Sequence, residues 1–313
     1  MQGAAEVVPV SSSAQLVLLP WLLGWEQPSD RTTFAAGLHA GSCLGIAWVL
    51  RHDLRSLDRR TAALLAGSCV PAAVAGAVAA DRVEQQLGRP PQLAVLLASA
   101  GVLLWLADHR ADRSAEKHPD HRAEKHPETH VEQHSAKIIR GLPSDTPGGS
   151  DGKLRMITAA GVPGVPGVAG VAGVAGVAGV RGVPGVGPRA AALAAFAQVA
   201  ALAPGVSCSG ATLTALRAAG VDRVAAQRFS LLMSLPVTAG AAALTLARSD
   251  RATLRALAPS LAVGAVCAAL AGVAAARVRQ RRPGRTATGP ALYRLGLAAA
   301  VARRLRTTRK ERL

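Results

Sequence analysis

The sequence is poor in aromatic side chains: Phe, Tyr and Trp make up 3% of its 313 residues. Soluble cores rely on those rings for bulk, so an ordinary globular core is not expected. Cysteine is scarce too. Cys43, Cys69, Cys208 and Cys267 stand far apart without a Cys-x-x-Cys pair, which argues against a secreted disulfide scaffold. Acidic residues are outnumbered, 19 against 36 Lys and Arg, for a net charge of +17. Apolar residues, by contrast, fill 50% of the chain, far more than a disordered chain carries. A strongly basic, strongly apolar chain points to nucleic acid or to a membrane protein with basic loops.

The placement of the charges separates the two. Residues 33–50 carry no formal charge, and Arg51–Arg60 then brings four Arg and two Asp. Residues 61–80 are again uncharged, and a shorter run covers Leu93 to Ala107. Further apolar runs lie at about 189–203, 229–247, 256–276 and, weakly, 287–302, with Arg clusters capping nearly every one. A bilayer core needs roughly 17–25 helical residues, which most of these runs supply and some only marginally. The basic charge is therefore loop charge flanking a membrane. No aromatic-basic stripe or zinc-finger spacing supports nucleic-acid binding. The N-terminus has no basic leader and carries an acid at Glu6, so a cleavable signal peptide is not expected; its abrupt opening inside an apolar segment fits either a misplaced start codon or a truncated first helix.

Two segments interrupt the pattern. The polar stretch from His109 to about Met156 repeats Ala-Glu-Lys-His-Pro and spaces His126, His130 and His134 by four. Helical spacing of that kind suits a metal, but Pro119 and Pro127 favour a solvated loop. Gly then recurs at every third position from Gly161 to Gly185, which reads as an elastin-like connector, since Gly is costly in a helix. The expected organisation is a membrane half at 1–107, a low-complexity linker at 108–188, a second membrane half at 189–302 and a basic tail at 303–313.

Two apolar stretches are broken by Pro and small hydroxyl residues: Glu6-Val-Val-Pro-Val-Ser-Ser-Ser-Ala-Gln15, and Ala203-Pro-Gly-Val-Ser-Cys-Ser-Gly-Ala-Thr212. A shift of 196 residues superposes Gln2 on Gln198, Val10 on Val206, Ser11 on Ser207 and Ser13 on Ser209. Broken apolar segments at matching places point to an inverted-repeat membrane fold with a central site. Freed backbone N–H groups and the hydroxyls of Ser207, Ser209 and Thr212 make a donor array for phosphate oxygens. Glu6, an acid in an apolar stretch, is a functional candidate, as general base or as ligand of a divalent cation.

The first stretch resembles the acidic and Pro-Val-Ser-Ser motif of bacterial undecaprenyl-diphosphate phosphatases, the bacitracin-resistance family. The second, Gln198 to Thr212, resembles that family's Gln-x5-Pro-Gly-x-Ser-Arg-Ser-Gly-x-Thr signature. Phe34 to Ile46, Ala225 to Pro236 and Tyr293-Arg294 resemble its further segments, in the same order. The resemblance covers about 1–107 and 189–302. It implies an all-α polytopic bundle with two re-entrant hairpins in the bacterial plasma membrane, hydrolysing undecaprenyl diphosphate with Mg²⁺ or Ca²⁺. By position it implies catalytic roles for Glu6, Gln2 and Ser12, with Glu6 as metal ligand. Ser11, Gly205, Ser207, Ser209, Gly210 and Thr212 would bind substrate. Gln15 and Cys208 stand where the family has His and Arg. The implied partner is a polyprenyl diphosphate lipid in a membrane, not nucleic acid, with a homodimer left open. A relative that binds or translocates polyprenyl phosphate without turnover is the alternative.

Overall fold

The computed structural model describes residues 1–26, 30–117, 183 and 185–310. The three-histidine spacing lies outside these residues, as does the Gly-Val repeat up to residue 182. Within them every regular element is a helix. The first half comprises α1 (Gln2–Val7), α2 (Ser12–Leu23), α3 (Arg31–Val49), α4 (Arg51–Arg55), α5 (Arg59–Leu87) and α6 (Pro90–Lys117). The second comprises α7 (Pro188–Ala200), α8 (Cys208–Ala218), α9 (Arg223–Arg248), α10 (Arg251–Arg281) and α11 (Thr288–Lys310).

Among the described residues four helices are long and apolar enough to cross a membrane: Arg59–Ala80, Pro90–Lys117, Arg223–Arg248 and Arg251–Arg281. The shortest has 22 residues, about 33 Å at 1.5 Å per residue, against about 30 Å of hydrocarbon. Their outer faces carry exposed Val74, Val78, Val95, Val263, Val266 and Leu270, the side chains a lipid solvent would cover. The chain is a multi-pass membrane protein.

Asp-Arg pairs start the main helices. Asp30, Asp58 and Asp250 each accept the backbone N–H three residues on, from Thr33, Thr61 and Thr253, and Asp222 accepts from Val224 and Ala225. Each carboxylate satisfies an orphan donor and faces the positive helix end. The Arg that follows adds the basic charge read in the loops.

The halves interlock reciprocally. In the first half α3 and α1 pack on α10 of the second; in return α9 and α7 pack on α5 of the first. Helix α3 also meets α9, and α6 meets α11. Gly37, Gly41 and Gly45 put a bare stripe on α3. A Cβ at Gly41 would lie 2.1 Å from the carbonyl oxygen of Ala265, and one at Gly45 2.3 Å from that of Ala269. Small residues at a spacing of four let membrane helices touch backbone to backbone.

Several boundaries differ from the sequence reading. Helix α6 runs ten residues beyond the boundary set at 107, because Asp108 and Asp112 pair with Arg217 and Arg223 and hold its last turns. The apolar run at 189–203 is not a span but the 13-residue α7 followed by a break. The basic tail set at 303 continues α11 to Lys310.

Candidate active site

Each half contains one short helix pair with a break: α1 and α2 around Val8–Ser11, α7 and α8 around Ala201–Ser207. Ser11 (φ 67°) and Ser207 (φ 73°) are the positive-φ non-glycine residues among those described. They fall on one another in the 196-residue shift. Left-handed backbone at a non-glycine residue costs energy, and such strain concentrates at functional sites. Each serine precedes the first residue of a helix, so the chain reverses there and directs that helix N-terminus inward.

The two N-termini meet at a cavity of about 290 Å³, lined among others by Ser12, Ser13, Cys208 and Ser209 from the first turns of α2 and α8. Helix N-termini carry free N–H groups and partial positive charge, which attract anions. Glu6 lines the same cavity. Its Oε1 accepts from Gln2 Nε2 at 2.9 Å and Ser12 Oγ at 2.7 Å, and lies 2.9 Å from His39 Nδ1. Oε2 accepts from none of the described residues. The Gln2 amide also sits 3.1 Å from His39 Nδ1. Arg31 and Glu84 pair at 3.3 Å, both of them wall residues.

The structure thus brings Gln2, Glu6 and Ser12 together and sets Ser207, Cys208 and Ser209 across from them. Other expected residues take supporting places. Ser11 is fully buried, 3.4 Å from Ser13 Oγ. Thr212 Oγ1 donates to the Cys208 carbonyl at 2.8 Å and meets Ser230 Oγ at 2.6 Å, tying α8 to α9. Gly205, at φ 107°, lies where a Cβ would come 3.1 Å from Leu96 of α6. Gly210 packs on Arg294, whose Nη2 a Cβ would meet at 2.3 Å. Gln15 donates to the Val10 carbonyl at 3.3 Å, into the break rather than the cavity.

Two contributors lie in segments the sequence reading matched to the family but gave no site role. His39 reaches Glu6 from α3; its signal was a lone imidazole in the uncharged run 33–50. Arg294, fully buried in α11, donates to the Pro9 carbonyl at 2.8 Å and the Val206 carbonyl at 3.2 Å. One guanidinium thereby ties both breaks.

Residues 1–139 and 174–300 match the family described as bacitracin resistance protein BacA. The chain belongs to the BacA family. Relatives agree along most of their length. The undecaprenyl-diphosphatase of Geobacter sulfurreducens is 30% identical over 291 residues, 87% of this chain and 82% of that protein. That of Pelobacter propionicus is 32% identical over 259 residues, 77% and 70% of the two chains. That of Maricaulis maris is 29% identical over 320 residues, 96% and 94%. The two broken helix pairs fall inside the BacA match.

Proposed function

We propose that this chain hydrolyses undecaprenyl diphosphate to undecaprenyl phosphate and inorganic phosphate in the bacterial plasma membrane. The reaction recycles the lipid carrier of cell-wall synthesis and lowers bacitracin sensitivity. The observation that carries this reading is one cavity where a carboxylate–hydroxyl pair faces two helix N-termini. The relatives' name agrees with it.

The first turns of α2 and α8 receive the diphosphate through backbone N–H groups and the hydroxyls of Ser207 and Ser209. Cys208 brings no charge to this anion, so the helix ends carry the electrostatic work. Ser12 presents the attacking O–H, and Glu6 accepts its proton. As oxygen adds to the terminal phosphorus, the bond to the bridging oxygen breaks, and polyprenyl phosphate departs with that oxygen. Water then releases phosphate from Ser12. His39 and Gln2 hold Glu6 in position; the two short helix pairs act as re-entrant hairpins placing this chemistry within the membrane.

The donor set bears on the cation the family resemblance implies. Among the described residues no three His, Cys, Asp or Glu side chains converge on a metal position, so a resident transition-metal cage does not fit. A hard cation held by one carboxylate, waters and substrate phosphates does fit. Glu6, with Gln2 beside it, would hold Mg²⁺ or Ca²⁺, which when bound would neutralise charge on the diphosphate oxygens.

The test is phosphate release from a polyprenyl diphosphate by purified protein, stripped with EDTA and resupplied with Mg²⁺ or Ca²⁺. Release should depend on the cation, and Glu6→Gln should lower it by about 10²–10⁴-fold. Full activity in that variant would sink the role given to Glu6. An intact chain that releases no phosphate would leave only lipid binding.

A further inference from the structure

The Glu6 cavity has a counterpart. A second cavity, of about 1130 Å³, is bounded by Ala4 of α1 and by the Val8–Val10 break, and the two share no wall residue. The relation between the halves places it: Leu213 on α8 corresponds to Val17 on α2 in the 196-residue shift, and Gln227, five residues after the Asp222 cap of α9, to Ala35, five after the Asp30 cap of α3. The α10 turns at 271–279 correspond to the α5 turns that bring Ala80 and Glu84 to the first cavity.

The charge differs. Helix α5 gives the first cavity an acid, Glu84, whereas α10 and the loop after it give the second Arg279, Arg282 and Arg285. No Asp or Glu is among its described wall residues. Asp108, which accepts the N–H of Ala287 on this wall, is already engaged by Arg217 and Arg223. Arg279 donates to the last carbonyl of α1, Val7, through Nη1 at 2.5 Å; no described residue accepts from its Nε or Nη2. In the turns of α10 before Arg279, Ala271, Ala275 and Val278 give the cavity an apolar wall.

Three guanidinium groups with no acid among the described wall residues suit a doubly charged phosphate, and the adjoining face suits a hydrocarbon chain. We propose that this second cavity binds one lipid phosphomonoester, its headgroup on Arg279, Arg282 and Arg285 and its tail along α10. The proposal stands on the cavity and not on the hydrolytic reading, whose product is nevertheless a ligand of this class.

Photolabelling of the full chain in nanodiscs with a diazirine-bearing farnesyl phosphate tests it. Label should appear in peptides covering residues 271–293 and be displaced by farnesyl phosphate, but not by farnesol or by inorganic phosphate at equal concentration. Arg282 and Arg285 are exposed, so Arg282→Glu with Arg285→Glu should fold, which helicity and size-exclusion profiles would check. That variant should lose at least about tenfold of the label at 271–293, as expected for removal of charge-assisted hydrogen bonds, while label at peptides covering residues 31–39, on the wall of the first cavity and not of the second, persists. Undiminished label in the double variant would overturn the proposal. So would inorganic phosphate competing as well as farnesyl phosphate, since the site would then read phosphate without a lipid. Labelling needs no turnover, so a chain that releases no phosphate still answers the question.

Discussion

Glu6 Oε1 gathers three neighbours, and the consequences differ by neighbour. Ser12 offers a proton to be taken, Gln2 a fixed amide donor, and His39 a group able to carry charge. His39→Gln keeps a hydrogen-bonding amide near Glu6 but removes the imidazole. If His39 shares in the proton transfer, kcat should fall by about 10² or more with KM changed far less. A loss matched by a disrupted helical signature would mean only that the side chain props α3 against α1. The sequence marked Glu6 because an acid in an apolar run is conspicuous. It did not mark His39, because neutral His is tolerated in such runs and nothing local announces a partner 33 residues away. The phosphate-facing hydroxyls were legible as a cluster. Which of them face the cavity was not: Ser209 does, while Thr212 turns to Ser230.

Among elements, the breaks in the short helix pairs were readable, because Pro, Gly and adjacent serines interrupt otherwise helical apolar sequence. The ends of α6 and α11 were not, since Asp108 and Asp112 look like loop charge until Arg217 and Arg223 arrive from another element. The α3–α10 contact gives one prediction. Gly41→Ala places a methyl against the Ala265 carbonyl, and neither backbone can retreat without opening the packing. A loss of about 1–3 kcal/mol is expected, seen as a lowered unfolding midpoint in detergent, whereas Gly67→Ala, inside α5 with nothing within 4 Å, should hold or raise it, since Ala is the better helix former. The helix caps give another. The backbone N–H of Thr61, then its hydroxyl, holds the Asp58 carboxyl below its ordinary value. At Asp250 the Thr253 hydroxyl, then its N–H, does the same. Because the folded pKa is depressed, this stabilisation is present above about pH 4 and is lost as pH falls through the folded value. Asp58→Ala with Asp250→Ala should therefore melt lower than the parent at about pH 7, with the gap narrowing towards about pH 3.

For the molecule as a whole, residues 1–117 and 182–313 form one compact unit through their own contacts. Both cavities, both breaks and the reciprocal packing of the halves lie inside that unit. Replacing residues 118–181 by a Gly/Ser linker should leave phosphate release within about twofold of the parent, because changing the length of a connection costs little beyond closure entropy. Loss of activity with a retained helical signature would assign work to the His-rich or Gly-Val segments.

The sequence by itself determined the solvent and the architecture. Long uncharged runs bounded by Arg require a lipid surround, and two broken segments 196 residues apart announce paired halves with a shared centre. These are properties of local hydropathy and backbone chemistry, so they survive without coordinates. Only the tertiary structure decided which groups meet. It took the α3–α10 crossing and the inward turn at Ser11 to set His39, Glu6 and Ser12 within hydrogen-bonding distance. The reciprocal packing of the halves likewise left a second, arginine-lined cavity beyond α1. Such proximities arise from long-range packing, which no local pattern of residues records.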